Sequence, residues 1–210
     1  MSLQRELRAS WGPGYPSRVQ FGGGDAAEDN TWEQLGAEED AVVRVEWNHY
    51  VFNNATVKEA VNKYCDPATR DQVVEQYGPI SDWDVSQVTS MNRLFHGKWG
   101  FNEDISRWDT SSVTDTSYMF DGASSFNQPL NSWDMSSVTD TSGMFNGASS
   151  FNQPLNSWDM TSVTDTRGMF NCASSFNQPL NSWDLSSVTD TSYMFNGASS
   201  FSQLNRPARV

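Results

Sequence analysis

One spacing governs this chain. Tryptophan stands at Trp83, Trp108, Trp133, Trp158 and Trp183, each 25 residues after the last. Phe101, Phe126, Phe151, Phe176 and Phe201 keep the same step, as do Val88 to Val188 and Phe95 to Phe195. Segments 126–150 and 151–175 differ at three positions only. A unit of 25 residues is too short to bury its own apolar face, so such units must stack on one another.

Within the coil 126–150 the large side chains are Phe126, Leu130, Trp133, Val138 and the pair Met144–Phe145. Their gaps fit neither a pure helical period nor a pure strand alternation. The spacing predicts a mixed coil: an extended stretch near Gln128–Asp134, a turn at Met135–Ser137, and one helical turn from Asp140 to Phe145. Asn146-Gly147 supplies a helix stop, and Pro129, Pro154 and Pro179 interrupt any continuous ladder in the extended part. The expected fold is therefore an α/β repeat, a leucine-rich-repeat-like solenoid of 25-residue coils with an N-terminal helical cap.

The small polar residues recur too. Thr114, Thr139, Thr164 and Thr189 suit N-caps, and the aspartate after each suits the positive end of the turn. Asp84, Asp109, Asp134, Asp159 and Asp184 follow the tryptophans, where Asp-x-Ser favours a side-chain-to-backbone turn. Carboxylates stacked coil over coil would repel, so backbone N–H partners or cations must offset them. Asn127, Asn152 and Asn177 suit an amide ladder.

The pattern F-N-x-x-L-x-S-W-D-x-S-S-V-T-D-x-S-x-M-F-x-G-A-S resembles the BspA-type leucine-rich-repeat surface proteins, the DUF285 family of bacteria, mycoplasmas and marine algae. The resemblance covers roughly residues 78–204 and implies a leucine-rich-repeat-like solenoid, often on cell surfaces. Two departures stand out. Thr116, Thr141, Thr166 and Thr191 occupy a position that is usually apolar, and Cys172 replaces the glycine seen at Gly122, Gly147 and Gly197.

Four segments are expected: an acidic, Gly/Pro-rich disordered tail over 1–45, a helical cap over 46–79, the repeats over 80–204 and a short tail over 205–210. In the cap, Thr56-Val57-Lys58-Glu59 reads as a capping box, and Asp66-Pro67 opens a second helix stopping at Gly78. The first tail has Arg5 and Arg8 but no apolar run of the kind a secretion signal carries. Beyond Phe201 no further Trp-Asp follows, which leaves three readings: a folded-back cap, a partner surface or a truncated chain.

Charge narrows the function. The 210 residues carry a net charge of −13, and residues 101–200 hold eleven acids against Arg107 and Arg167 alone. Nucleic acid is excluded as a partner on that ground, and no stretch approaches the ~18 apolar residues of a membrane span. His49 and His96 lack a neighbouring nucleophile with an orienting acid, and Cys65 and Cys172 make neither a disulfide framework nor a four-ligand zinc site. No enzyme activity, cofactor or metal is expected; calcium held by stacked aspartates and ice-binding by the threonines are weaker readings. The tryptophans are expected in the core, the rival being an outward stripe that stacks on sugars.

What remains is protein or glycan binding. Positions that vary between coils are the natural ligand contacts: Arg93, Tyr118, Gly143, Gly168 and Tyr193 in one row, with Arg167 beside it. The uniform row Asn131, Asn156 and Asn181 suits a repetitive partner. The reading from another class is a structural module that self-associates through its C-terminal coil.

Overall fold

A computed structural model describes residues 18–21, 24–25, 44–46, 50–205 and 207. Three short strands, β1 (Arg18–Phe21), β2 (Gly24–Asp25) and β3 (Arg44–Glu46), pair antiparallel in the order β2-β1-β3. The rest of the 1–45 tail, with Trp11 and Tyr15, and also His49, lies outside the described residues.

The cap comprises α1 (Asn54–Tyr64) and α2 (Arg70–Tyr77). The capping box of α1 lies three residues before the place its sequence suggests. Asn53 Oδ1 accepts the N–H groups of Ala55 and Thr56 at 3.0 Å each, while Thr56 Oγ1 accepts that of Asn53 at 3.0 Å. Asparagine outranks threonine as a cap, so the box forms around Asn53. Val57, Ala60, Val61 and Tyr64 face the core. Asp66 turns the chain before α2 by accepting from Ala68 N–H, which delays that helix to Arg70.

The array itself is not the expected α/β solenoid. Its described residues contain no β-strand and no α-helix. Only isolated parallel bridges appear, such as Asp115↔Asp140 and Asp140↔Asp165. Each coil is instead a chain of tight turns, closed in the second coil by i→i+3 bonds such as Trp133 N–H to Leu130 O and Val138 N–H to Met135 O. Where a helical turn was expected, the N–H groups alternate in destination. Those of Met144 and Asn146 stay in the coil, bonding Thr141 O and Gly143 O. Those of Thr141, Gly143, Phe145 and Gly147 leave it, reaching the carbonyls of Asp165, Arg167, Met169 and Asn171 at 2.8–3.0 Å. A helix spends every N–H internally and a strand keeps φ negative; this backbone does neither, with φ of 60° at Gly143 and 68° at Gly147.

The expected strand Gln128–Asp134 fails for a related reason. Pro129 has no N–H to give, and side chains make the ladder there instead. Asn152 N–H donates to Asn127 Oδ1 at 2.9 Å, Gln153 Nε2 to Asn127 O at 3.0 Å, and Ser132 Oγ to Ser106 O at 2.7 Å. The Val-Thr-Asp threonines are ladder rungs, not N-caps: Thr139 gives both N–H (2.8 Å) and Oγ1 (3.2 Å) to Thr114 O. Thr116, Thr141 and Thr166 are buried, and each hydroxyl reaches the carbonyl of an aspartate in the next coil at 3.2 Å.

Like side chains do sit over like. Phe95, Phe120, Phe145, Phe170 and Phe195 form one column with centroids 5.4–5.6 Å apart, and Phe101 to Phe201 form a second at 5.7–6.0 Å. The repeat tryptophans Trp83, Trp108, Trp133, Trp158 and Trp183 lie 3–4% exposed. Trp158 stacks on Trp183 at 6.3 Å and 2°, and each indole N–H bonds a carbonyl below, as Trp158 does to Leu130 O at 2.8 Å. An outward stripe of these repeat tryptophans is thereby ruled out.

The aspartates are quieted by backbone N–H groups. Asp134 Oδ1 accepts from the N–H (2.9 Å) and hydroxyl (2.6 Å) of Ser136, and Asp159 does the same with Thr161. Those hydroxyl and N–H bonds hold Asp134 and Asp159 below the usual carboxylate value, as Ser192 does for Asp190 and the backbone of Ser106 for Asp104. A folded-state value below the unfolded one gives stability that is complete above the unfolded value, near pH 4, and lost as pH falls through the lower one. The melting midpoint is expected to be flat above about pH 5 and to fall below about pH 4. A double Asp134→Asn, Asp159→Asn variant, which keeps an acceptor oxygen, should show a shallower acid slope in the same melts.

Candidate recognition surface

Residue 93 and its equivalents sit where the coil needs a left-handed backbone. The φ values are 57° at Arg93, 55° at Tyr118, 60° at Gly143, 61° at Gly168 and 60° at Tyr193. Glycine takes this conformation without penalty, while a residue with a Cβ is disfavoured by roughly 1–2 kcal/mol. Two coils use the cheap residue and three do not.

The row's side chains then explain one another. The Tyr118 ring lies across the next coil, over Gly143, whose position has no room for a side chain: an added Cβ would meet the ring at 2.4 Å. The Arg93 guanidinium lies 5.0 Å from the Tyr118 centroid, a cation–π distance. Arg167 lies on the far side of Gly143, whose N–H it accepts at its carbonyl at 2.8 Å, and Tyr118 with Asp165 nearby holds its guanidinium above its ordinary value. Arg93, Tyr118 and Arg167 thus form one continuous patch across four coils. Tyr193 stands further along, 71% exposed.

The asparagine row is exposed but partly committed to the stack. Asn131 Oδ1 accepts from Ser157 Oγ at 2.7 Å, Asn156 O accepts from Ser182 Oγ at 2.8 Å, and Asn181 Nδ2 donates to Leu204 O at 3.0 Å. Elsewhere, His96 Nδ1 lies 2.9 Å from Asp121 Oδ2, and no cluster of His, Cys, Asp and Glu with metal-binding geometry occurs among the described residues. No described helix is long and apolar enough to cross a membrane.

Strain provides a direct test. Tyr193→Gly should raise stability by about 1 kcal/mol, because the exposed ring gives back little for its left-handed backbone. Tyr118→Gly should gain less, since it also removes the contacts with Arg93 and Arg167. Urea melts of the two variants beside wild type decide this; a destabilised Tyr193→Gly would refute the reading.

Turn-built coils stacked in register behind a two-helix cap, with an outer row of arginine and tyrosine, define a repeat protein. The family model described as Mycoplasma protein of unknown function, DUF285, matches residues 68–173 and again 131–206, more than half of the chain, and the chain belongs to that family. No curated protein and no solved structure matches it.

Proposed function

We propose that this chain is a non-enzymatic recognition module that binds a protein or glycan ligand through the Arg93–Tyr118–Arg167 patch and Tyr193. The supporting observation is the set of large side chains at left-handed positions where glycine serves equally well for folding. Strain retained at surface positions marks a use other than stability. Arginine and tyrosine are also the side chains that supply most binding energy in recognition surfaces. Kinship with BspA-type surface proteins belongs to this reading, carried by the recurring Trp-Asp and Val-Thr-Asp, without the strand and helix that a leucine-rich repeat requires.

The test is a screen of glycans and cell-surface proteins with wild type and Tyr118→Gly in parallel. A ligand that binds wild type and loses at least about tenfold in affinity with the variant supports the proposal. Folded protein that binds nothing, or binds equally after the substitution, overturns it.

A second reading, self-association through the coil at 180–204, is favoured by one observation. Val188, Phe195 and Phe201 are only partly covered, whereas their equivalents Val163, Phe170 and Phe176 are fully buried. Light scattering with and without an added polar coil distinguishes the two readings, since only self-association should disappear.

A further inference from the structure

Where the cap meets the first coil, the molecule has a cleft of about 470 Å³, inside the range of small-ligand sites. Three of the residues lining it are departures of the first coil from the repeat. Lys98, Trp99 and Glu103 stand where the chain has Ala123, Ser124 and Gln128 one repeat further on. The cap contributes Tyr64, Cys65 and Arg70 to the opposite wall.

The chemistry of the walls is specific. Trp99 is 74% exposed, whereas every tryptophan of the stacked column lies within the core. Arg70 is fixed in place: its guanidinium lies 4.5 Å from the Tyr64 centroid, donates to the Tyr64 hydroxyl at 2.9 Å and pairs with Glu103. Lys98 is half-buried, and its ammonium has no hydrogen-bond or ion-pair partner among the described residues. Burial pushes the Cys65 thiol above its ordinary value, so that part of the wall stays neutral. In a chain of net charge −13, Lys98, with no ion-pair partner among the described residues, stands next to the exposed indole of Trp99.

We propose that this cleft binds a hexuronate residue of a glycan. The indole face of Trp99 suits the C–H face of a pyranose ring, Lys98 supplies the counter-charge for its carboxylate, and Glu103 with the remaining Arg70 N–H groups offers an acceptor and donors for ring hydroxyls. Other ligands fit less well. A cation on the indole would face Lys98 and Arg70, a phosphate would bring more negative charge toward Glu103 than one carboxylate does, and a plain aromatic would leave these polar groups unused. The site is separate from the Tyr118 patch and does not depend on it.

The test is calorimetric titration of the full chain with methyl glucuronide, and with methyl glucoside, acetate and an oligoglutamate peptide as comparators. Methyl glucuronide should bind at least about tenfold more tightly than methyl glucoside, and acetate and the peptide should not compete with it. Trp99→Ala should weaken the uronide at least about tenfold, and Lys98→Gln should abolish the preference for uronide over glucoside. Both residues are at the surface, and unchanged urea midpoints will show that the variants fold. Tyr118→Gly should leave uronide binding intact, which separates failure of this site from failure of the recognition patch. The proposal is overturned if no uronide heat is seen up to about 10 mM, if Trp99→Ala binds as wild type does, or if acetate or the peptide competes equally.

Discussion

Phe145→Ala is expected to destabilise the protein by about 3–5 kcal/mol, the usual consequence of truncating a fully buried phenylalanine. The ring sits in the middle of its column, 5.5 Å from both Phe120 and Phe170, 4.1 Å from Phe151 six residues on and 6.3 Å from Trp158. Its removal opens a cavity that adjacent coils cannot close, because the N–H of residue 145 itself is tied to Met169 O at 2.8 Å. Phe195→Ala is the matched control. That ring is only partly covered, lying 5.6 Å from Phe170 and 4.1 Å from Phe201, so its truncation should cost roughly half as much. Urea unfolding of the two variants measures the difference. Equal losses would mean that stacking along the column is not what holds the coils together.

The sequence made the stacking legible and the backbone illegible, for one reason. Column formation follows from period alone: identical side chains 25 residues apart must lie over one another if the coils are in register. Coil conformation depends on where each N–H goes, and residues 140–147 offer no local pattern that announces two alternating destinations. Glycine at 143 and 147 was the available sign. At both positions φ is positive, and two such glycines four residues apart contradict a helical turn. Threonine and asparagine were readable as cap and ladder residues, yet the rungs use partners in the coil before or after, which no local rule covers. Among the site residues, variation between coils singled out Arg93, Tyr118 and Arg167, and the structure brings these three together. It could not single out the cleft, because Tyr64 and Arg70 come from a different part of the chain. Lys98-Trp99 in place of Ala-Ser was the visible trace of it.

Deleting 25 residues should harm this protein less than deleting 12. Removal of residues 151–175 joins Ser150 to Phe176, which reproduces the natural Ser150–Phe151 junction. The N–H groups of Thr141, Gly143, Phe145 and Gly147 then meet the carbonyls of Asp190, Ser192, Met194 and Asn196, the same groups that Thr166, Gly168, Phe170 and Cys172 bond now at 2.7–3.0 Å. Both phenylalanine columns and the tryptophan column close over the gap. The expected loss is one coil's share, roughly 1–4 kcal/mol at the ordinary stability per residue. Removal of residues 151–162 instead takes Phe151, Leu155, Trp158 and Met160 from the core and leaves Val163–Ser175 too short to complete a circuit. The indole bond to Leu130 O is lost with Trp158, and the rings on either side face a void. The half-coil deletion should therefore show no cooperative unfolding transition, while the full-coil deletion keeps one. Tryptophan fluorescence in urea reads both, and a half-coil variant as stable as the full-coil variant would show that register between coils does not decide the fold.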